Sequence, residues 1–155
     1  MKIAIVFDTL HGNTKQIAEA IKEGLSGDNA VQMIKADLAD ADSLSDIDLL
    51  ITGSPTHGGW YTEGIKKFIN ALPADGLQNI KAAAFDTSST KVDKNAFVKF
   101  IINFFGPAAP RIAKALRKKG IEVVASETFR VLDTEGPLQD GEIERARVWA
   151  GGLIG

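Results

Sequence analysis

With 155 residues, 45% of them hydrophobic, the chain has the length of one domain and enough apolar sequence for one core, so a single domain over residues 1–155 is expected. Its 18 basic and 20 acidic residues leave a net charge of −2, which gives no reason to expect a nucleic-acid footprint. Cysteine is absent, which excludes disulfides, thiolate catalysis and zinc–thiolate sites, and two histidines are too few for a rich metal cluster.

Lys2 to Phe7 is short, apolar and rich in β-branched residues, the pattern of a strand buried on both faces of a parallel sheet. No long apolar run of the secretory type precedes it, so a cytoplasmic location is the default expectation. A polar loop follows, Thr9-Leu10-His11-Gly12-Asn13-Thr14. An amphipathic helix is then predicted from about Asn13 to Leu25, with Ile17, Ala18, Ile21 and Leu25 inward and Lys15, Glu19, Lys22 and Glu23 in water. A strand, polar loop and helix start in this order aim several backbone N–H groups and the positive end of a helix dipole at one spot, which suits a doubly charged phosphate. Thr9, Asn13 and Thr14 add short side-chain donors, and Gly12 permits the tight path. The simpler reading is a polar turn capped by Asn13 or Thr14. Neither G-x-x-x-x-G-K-[ST] nor G-x-G-x-x-G follows the strand, so a P-loop and a Rossmann dinucleotide site are unsupported.

Val31 to Lys35 reads as a second strand, and the acidic connection from Asp37 to Ser45 as a solvated short helix or turn. Asp48 to Thr52 is a third strand running into Gly53-Ser54-Pro55-Thr56-His57-Gly58-Gly59-Trp60. A helix over Thr62 to Leu72 turns Ile65, Phe68, Ile69 and Leu72 inward and stops at Pro73. Lys81 to Phe85 is strand four, and Asp86-Thr87-Ser88-Ser89-Thr90 is expected as a polar loop. Asn95 to Phe105 is apolar on nearly every side but too short to span a membrane; it reads as a buried helix or as a surface for a lid, a dimer or an apolar partner. Pro107 to Lys119 holds a helix with Ile112, Ala113 and Leu116 inward. Ile121 to Val124 is strand five, extended or broken over Ala125 to Val131. A turn from Glu135 to Glu142 enters the last helix, Glu142 to Leu153, with Asp140 as its expected cap.

Strands alternating with helices imply a parallel sheet with right-handed crossovers. The loops after strands one, three and four carry the polar and glycine residues, at the sheet edge where open α/β folds bind ligands, and should converge.

The first loop resembles the phosphate loop of the flavodoxin family, [ST]-x-[TY]-G-N-T after an apolar strand, read here as Thr9-Leu10-His11-Gly12-Asn13-Thr14 with Ala18 and Ile21 following. His11 departs from the pattern by replacing the usual hydroxyl residue. The resemblance extends over the chain in strand order and length and looks like the short-chain type. It implies a flavodoxin-like three-layer α/β/α sandwich with a five-stranded parallel sheet, binding FMN. It also implies a role for the second loop: Ser54, Pro55, Thr56, His57, Gly58, Gly59 and Trp60 would lie along the isoalloxazine ring. His57-Gly58 would occupy the place of a peptide that turns to hydrogen-bond the half-reduced ring. Trp60 or Tyr61 would stack on the ring or belong to an ordinary packed turn. In the third loop Asp86, Thr87, Ser88 and Ser89 would face the pyrimidine edge, without the tyrosine often found there; Phe97 or Phe100 would supply the missing wall.

The resemblance implies an electron carrier working with redox partner proteins, a reductase and an acceptor, with no nucleic acid and no stable membrane insertion; a homodimer is compatible with it. Flavin does the chemistry, so no acid–base or nucleophile set is required. The alternative is an FMN-dependent NAD(P)H:quinone-type oxidoreductase on the same fold. A receiver domain is rejected, because Thr52-Gly53-Ser54 stands where a phosphate-accepting aspartate would be needed.

Overall fold

A computed structural model describes residues 1–89 and 106–155; the apolar stretch from 95 to 105 and Thr90 lie outside the described residues. Along the chain run β1 (Lys2–Phe7), α1 (Asn13–Gly24), β2 (Ala30–Lys35), β3 (Leu49–Pro55), α2 (Glu63–Ala71), β4 (Lys81–Ser89), α3 (Ala108–Lys118), β5 (Glu122–Val131) and α4 (Glu142–Ile154). The acidic connection after β2 is two short 3₁₀ turns, Ala36–Leu38 and Asp42–Leu44. The five strands form one sheet in the order β2-β1-β3-β4-β5, every pair parallel.

The two faces of the sheet follow from strand alternation. Ile3, Ile5 and Phe7 of β1 point to one face, where Ile17, Ile21 and Leu25 meet Ala146 and Ala150 of α4. Ala4 and Val6 point to the other, packed with Ile65, Phe68 and Ile69 of α2 and Ile112 and Leu116 of α3. That makes the expected three layers. Phe129 ties the sheet to α4 through two edge-on ring contacts, to Phe85 at 6.3 Å and to Trp149 at 5.9 Å. In β3 Gly53 lies against the Phe85 ring, which would sit 2.0 Å from an added Cβ. Thr52, also on β3, is fully buried with its hydroxyl unpaired among the described residues.

Two expectations need correction. Asp86 to Ser89 are strand rather than loop, because β5 continues to Val131 and pairs Thr128 to Val131 with them, while Ser54 and Pro55 pair with Asp86 and Thr87 on the other side. Strand five is thus extended, with one register shift near Val124. The cap of α4 is Gly141, not Asp140; its φ of 88° sets the helix entry and no side chain caps it. Glu142 takes over the anchoring. Its buried carboxylate accepts the Arg130 N–H at 2.6 Å and two guanidinium N–H groups of Arg145, at 2.8 and 2.7 Å. The hydrogen-bonded Arg145 guanidinium holds that carboxyl below the usual glutamate range, against the opposing effect of burial.

Among the described residues, no helix is long and apolar enough to cross a membrane.

Candidate cofactor site

The strand order places the carboxyl ends of β1, β3 and β4 side by side, with the reversal of strand order between β1 and β3, where open α/β sheets form a crevice. The three predicted segments therefore meet, and side chains lock them together. Thr14 and Thr87 share a hydroxyl–hydroxyl bond of 2.9 Å. The Thr56 N–H donates to the Thr87 carbonyl at 2.9 Å. Asp8 at the end of β1 accepts the Thr62 hydroxyl at 2.6 Å, and Thr62 caps α2.

In the first loop the Gly12 N–H donates to Thr9 Oγ1 at 3.0 Å, folding Thr9 to Gly12 into a compact turn. Gly12 is the cap residue of α1 with φ 88°, a left-handed conformation that side chains resist, so the expectation of Asn13 or Thr14 as cap is corrected. Both are inside the helix and buried. Asn13, Thr14 and Lys15 have no intrahelical acceptor for their N–H groups, as at any helix start. No acidic residue occupies this first turn. Hydroxyls add further donors. Thr9 Oγ1 only accepts within the loop. Thr14 and Thr87 hold two protons between them and use one in their mutual bond. Leu10 and His11 stand exposed at the tip. Asn13 spends its amide elsewhere, donating from Nδ2 to the Glu135 carbonyl at 3.2 Å. Its Oδ1 lies 2.8 Å from where a Cβ on Gly136 would sit. The turn after β5 thereby buttresses the loop, a role the sequence did not suggest.

In the second loop His57 and Trp60 exchange N–H···O=C bonds of 2.9 and 3.1 Å around Gly58 and Gly59, whose φ values of 57° and 78° make a tight turn that only glycines accommodate at little cost. The His57 carbonyl thus has a partner that any rotation of the His57–Gly58 peptide must break. Ser54 is buried in the strand: its hydroxyl accepts from Thr62 N–H at 3.0 Å and donates to the Pro55 carbonyl. Trp60 is 44% exposed, tilted against Tyr61 at 5.3 Å, with the Arg111 guanidinium 4.5 Å from its ring centroid. Burial pushes the Tyr61 phenol up, with Arg111 opposing.

The third segment centres on Asp86, fully buried within the sheet. Its carboxylate accepts hydroxyls from Thr56, from Ser88 at 2.5 Å and from Thr128 at 2.6 Å. Thr56 Oγ1 in turn accepts the Ala108 N–H at 3.0 Å, bringing in the start of α3. Thr56, Asp86 and Ser88 therefore bind one another and brace the crevice, while Thr87 and Ser89 lie on β4 next to it. Thr128 carried no local signal, because its partner lies 42 residues away. Asp8 and Thr62 were detectable as a strand-end acid and a helix cap, but not as a pair.

A profile described as a flavodoxin domain matches residues 4–130. A flavodoxin of Clostridium saccharobutylicum is 30% identical over 92 residues, and the match spans 58% of each chain. Among solved structures, a flavodoxin from the domain Archaea superposes with a TM-score of 0.75 at 24% identity, covering 99% of this chain and 96% of that one. Flavodoxin 2 from Bacillus cereus gives 0.74 at 24% identity, covering 99% and 98%. These superpositions bear on the fold, and they match the expected sandwich.

Proposed function

The chain belongs to the flavodoxin family, and from that membership and the donors gathered at the first loop we propose that it binds FMN and carries electrons between redox proteins. The observation that carries the reading is the buried start of α1: N–H groups and hydroxyls left without an acceptor among the described residues, a helix dipole, and no acid in the first turn. That donor set fits a phosphate dianion. FMN, when bound, would supply reversible electron uptake and release.

The residues then divide by role. Thr9 to Thr14 hold the phosphate: Thr9 through its hydroxyl, Gly12 through its left-handed turn, Asn13 through its backbone N–H, and Thr14 through its N–H and the hydroxyl it shares with Thr87, with Leu10 and His11 at the rim. Ser54, Pro55 and Thr56 lead the chain to the His57-Gly58-Gly59-Trp60 turn, which borders the ring. Two glycines let that turn exchange backbone hydrogen bonds as the ring's charge changes. Asp86, Thr87, Ser88 and Ser89 form the far wall, with Asp86 holding its shape. The reading has the protein working in the cytoplasm with a reductase and an acceptor.

Fluorescence titration of the apoprotein with FMN and, in parallel, with riboflavin tests it. FMN is expected to bind far more tightly than riboflavin. Equal affinity removes the phosphate assignment, and binding of neither removes the function. Rapid reduction of the loaded protein by NADPH without a second protein would replace the carrier by the oxidoreductase.

A further inference from the structure

The groove between α2 and α3 carries a charge pattern that the cofactor site does not use. It has a volume of about 300 Å³ and is lined by Trp60, Tyr61, Asn70, Arg111, Lys114 and Lys118, among others, with no carboxylate among the described residues of its lining. Residues 111–119 hold five basic residues and no acidic one, in a chain whose net charge is −2.

Helix stability does not account for this pattern. Arg111, Lys114 and Lys118 are spaced three and four residues apart, so they share one helix face and repel. Cations in the last turn suit the helix dipole, which covers Arg117 and Lys118. Lys119 has a local task, donating to the Asn70 and Leu72 carbonyls at the end of α2. Arg111 lies in the first turn of α3, where the dipole opposes a positive charge, and Lys114 lies mid-helix. Lys114 and Lys118 are exposed, and neither has an ion pair among the described residues.

The groove also continues into the second loop, because Trp60 lines it and holds Arg111 against its ring. A protein seated there touches the turn that borders the proposed flavin ring. We propose that this groove docks the carboxylate-rich face of a small redox protein, with Lys114 and Lys118 supplying the attraction and Trp60 the apolar contact. The inference rests on the carrier reading, since that reading is what puts a redox centre beside Trp60. Charge complementarity selects the partner: an acidic surface meets a groove whose described lining holds four cations and no carboxylate, whereas a basic one meets four like charges.

The test is calorimetric binding of an acidic [2Fe–2S] ferredoxin, both proteins oxidised, with basic cytochrome c and anionic phospholipid vesicles as comparison ligands. Ferredoxin is expected to bind, about tenfold more weakly when ionic strength is raised from about 20 to about 200 mM. Lys114→Glu and Lys118→Glu are each expected to weaken it by about fivefold or more, whereas Lys22→Glu, the same charge change on α1, stays within about twofold. Trp60→Ala should weaken binding while leaving its salt dependence unchanged. Preference for cytochrome c or for vesicles, no ferredoxin binding, or equal losses in Lys22→Glu and Lys118→Glu would each overturn the proposal. FMN titrations on the same samples separate the two readings. Normal FMN binding without ferredoxin binding overturns the docking alone, and absence of FMN binding overturns the carrier reading and the docking with it.

Discussion

Replacing Thr14 by valine removes one hydroxyl from the first loop and keeps the side-chain shape, so it isolates the chemistry of the proposed phosphate cradle. In the structure that hydroxyl is buried and bonded at 2.9 Å to Thr87, and the pair retains one proton for an outside acceptor. A hydrogen bond to a charged group contributes about 1.5–3 kcal/mol. Losing it at a phosphate should therefore raise the FMN dissociation constant by about 10- to 150-fold. Riboflavin lacks the phosphate, so its affinity should change by less than about threefold on the same arithmetic. Thr14→Val also strips Thr87 of its hydroxyl partner, which destabilises the apoprotein. The double variant Thr14→Val/Thr87→Val removes both hydroxyls and controls for that loss. Fluorescence titration with both ligands, alongside urea unfolding of each apoprotein, reads the two effects apart. Equal losses for FMN and riboflavin in the single and double variants would refute the assignment of phosphate to this loop.

Asp86→Asn leaves one acceptor oxygen where three hydroxyls now converge, and should cost about 3 kcal/mol in urea unfolding, since buried donors lose their acceptor. A loss under about 1 kcal/mol would show that the hydroxyls find other partners. Thr52→Val deletes a buried hydroxyl unpaired among the described residues and should stabilise the protein by about 1 kcal/mol; destabilisation would mean that the hydroxyl has an acceptor. Glu142 has a lowered pKa in the folded state, so its contribution is complete above the ordinary glutamate range and is lost as pH falls through its folded value. Glu142→Gln should therefore be less stable near neutrality and show a flatter loss on acidification, checked by denaturant midpoints between about pH 7 and 3; parallel curves would exclude Glu142 as the source of the slope.

Much of the architecture was legible because it rests on local periodicity. The stripe of Ile17, Ile21 and Leu25 and the apolar run from Ile3 to Phe7 are each determined by neighbours a few residues apart, and both occupy the faces their spacing implies. The site was legible in its positions more than in its bonds. Asp86 to Ser89 looked like a loop because polar residues are read as turns, yet pairing with β5 made them strand. Asn13 looked like a ligand donor because short amides suit helix starts, yet its amide reaches Glu135, 122 residues away. Gly12 and Gly141 cap their helices through backbone geometry, where side-chain preference pointed to Asn13 or Thr14 and to Asp140.

The contact between Asn13 and the Glu135–Gly136 turn also has a bearing on biosynthesis. Asn13 in the first loop leaves the ribosome 122 residues before Glu135, its partner in the turn that braces it. A nascent chain that has not yet reached β5 carries the whole loop motif without its buttress and without the β5 residues that pair with the end of β4. Since domains generally fold as units, the loop reaches its final shape only once the turn after β5 has been made. On the function proposed above, loading with cofactor then follows the synthesis of that turn.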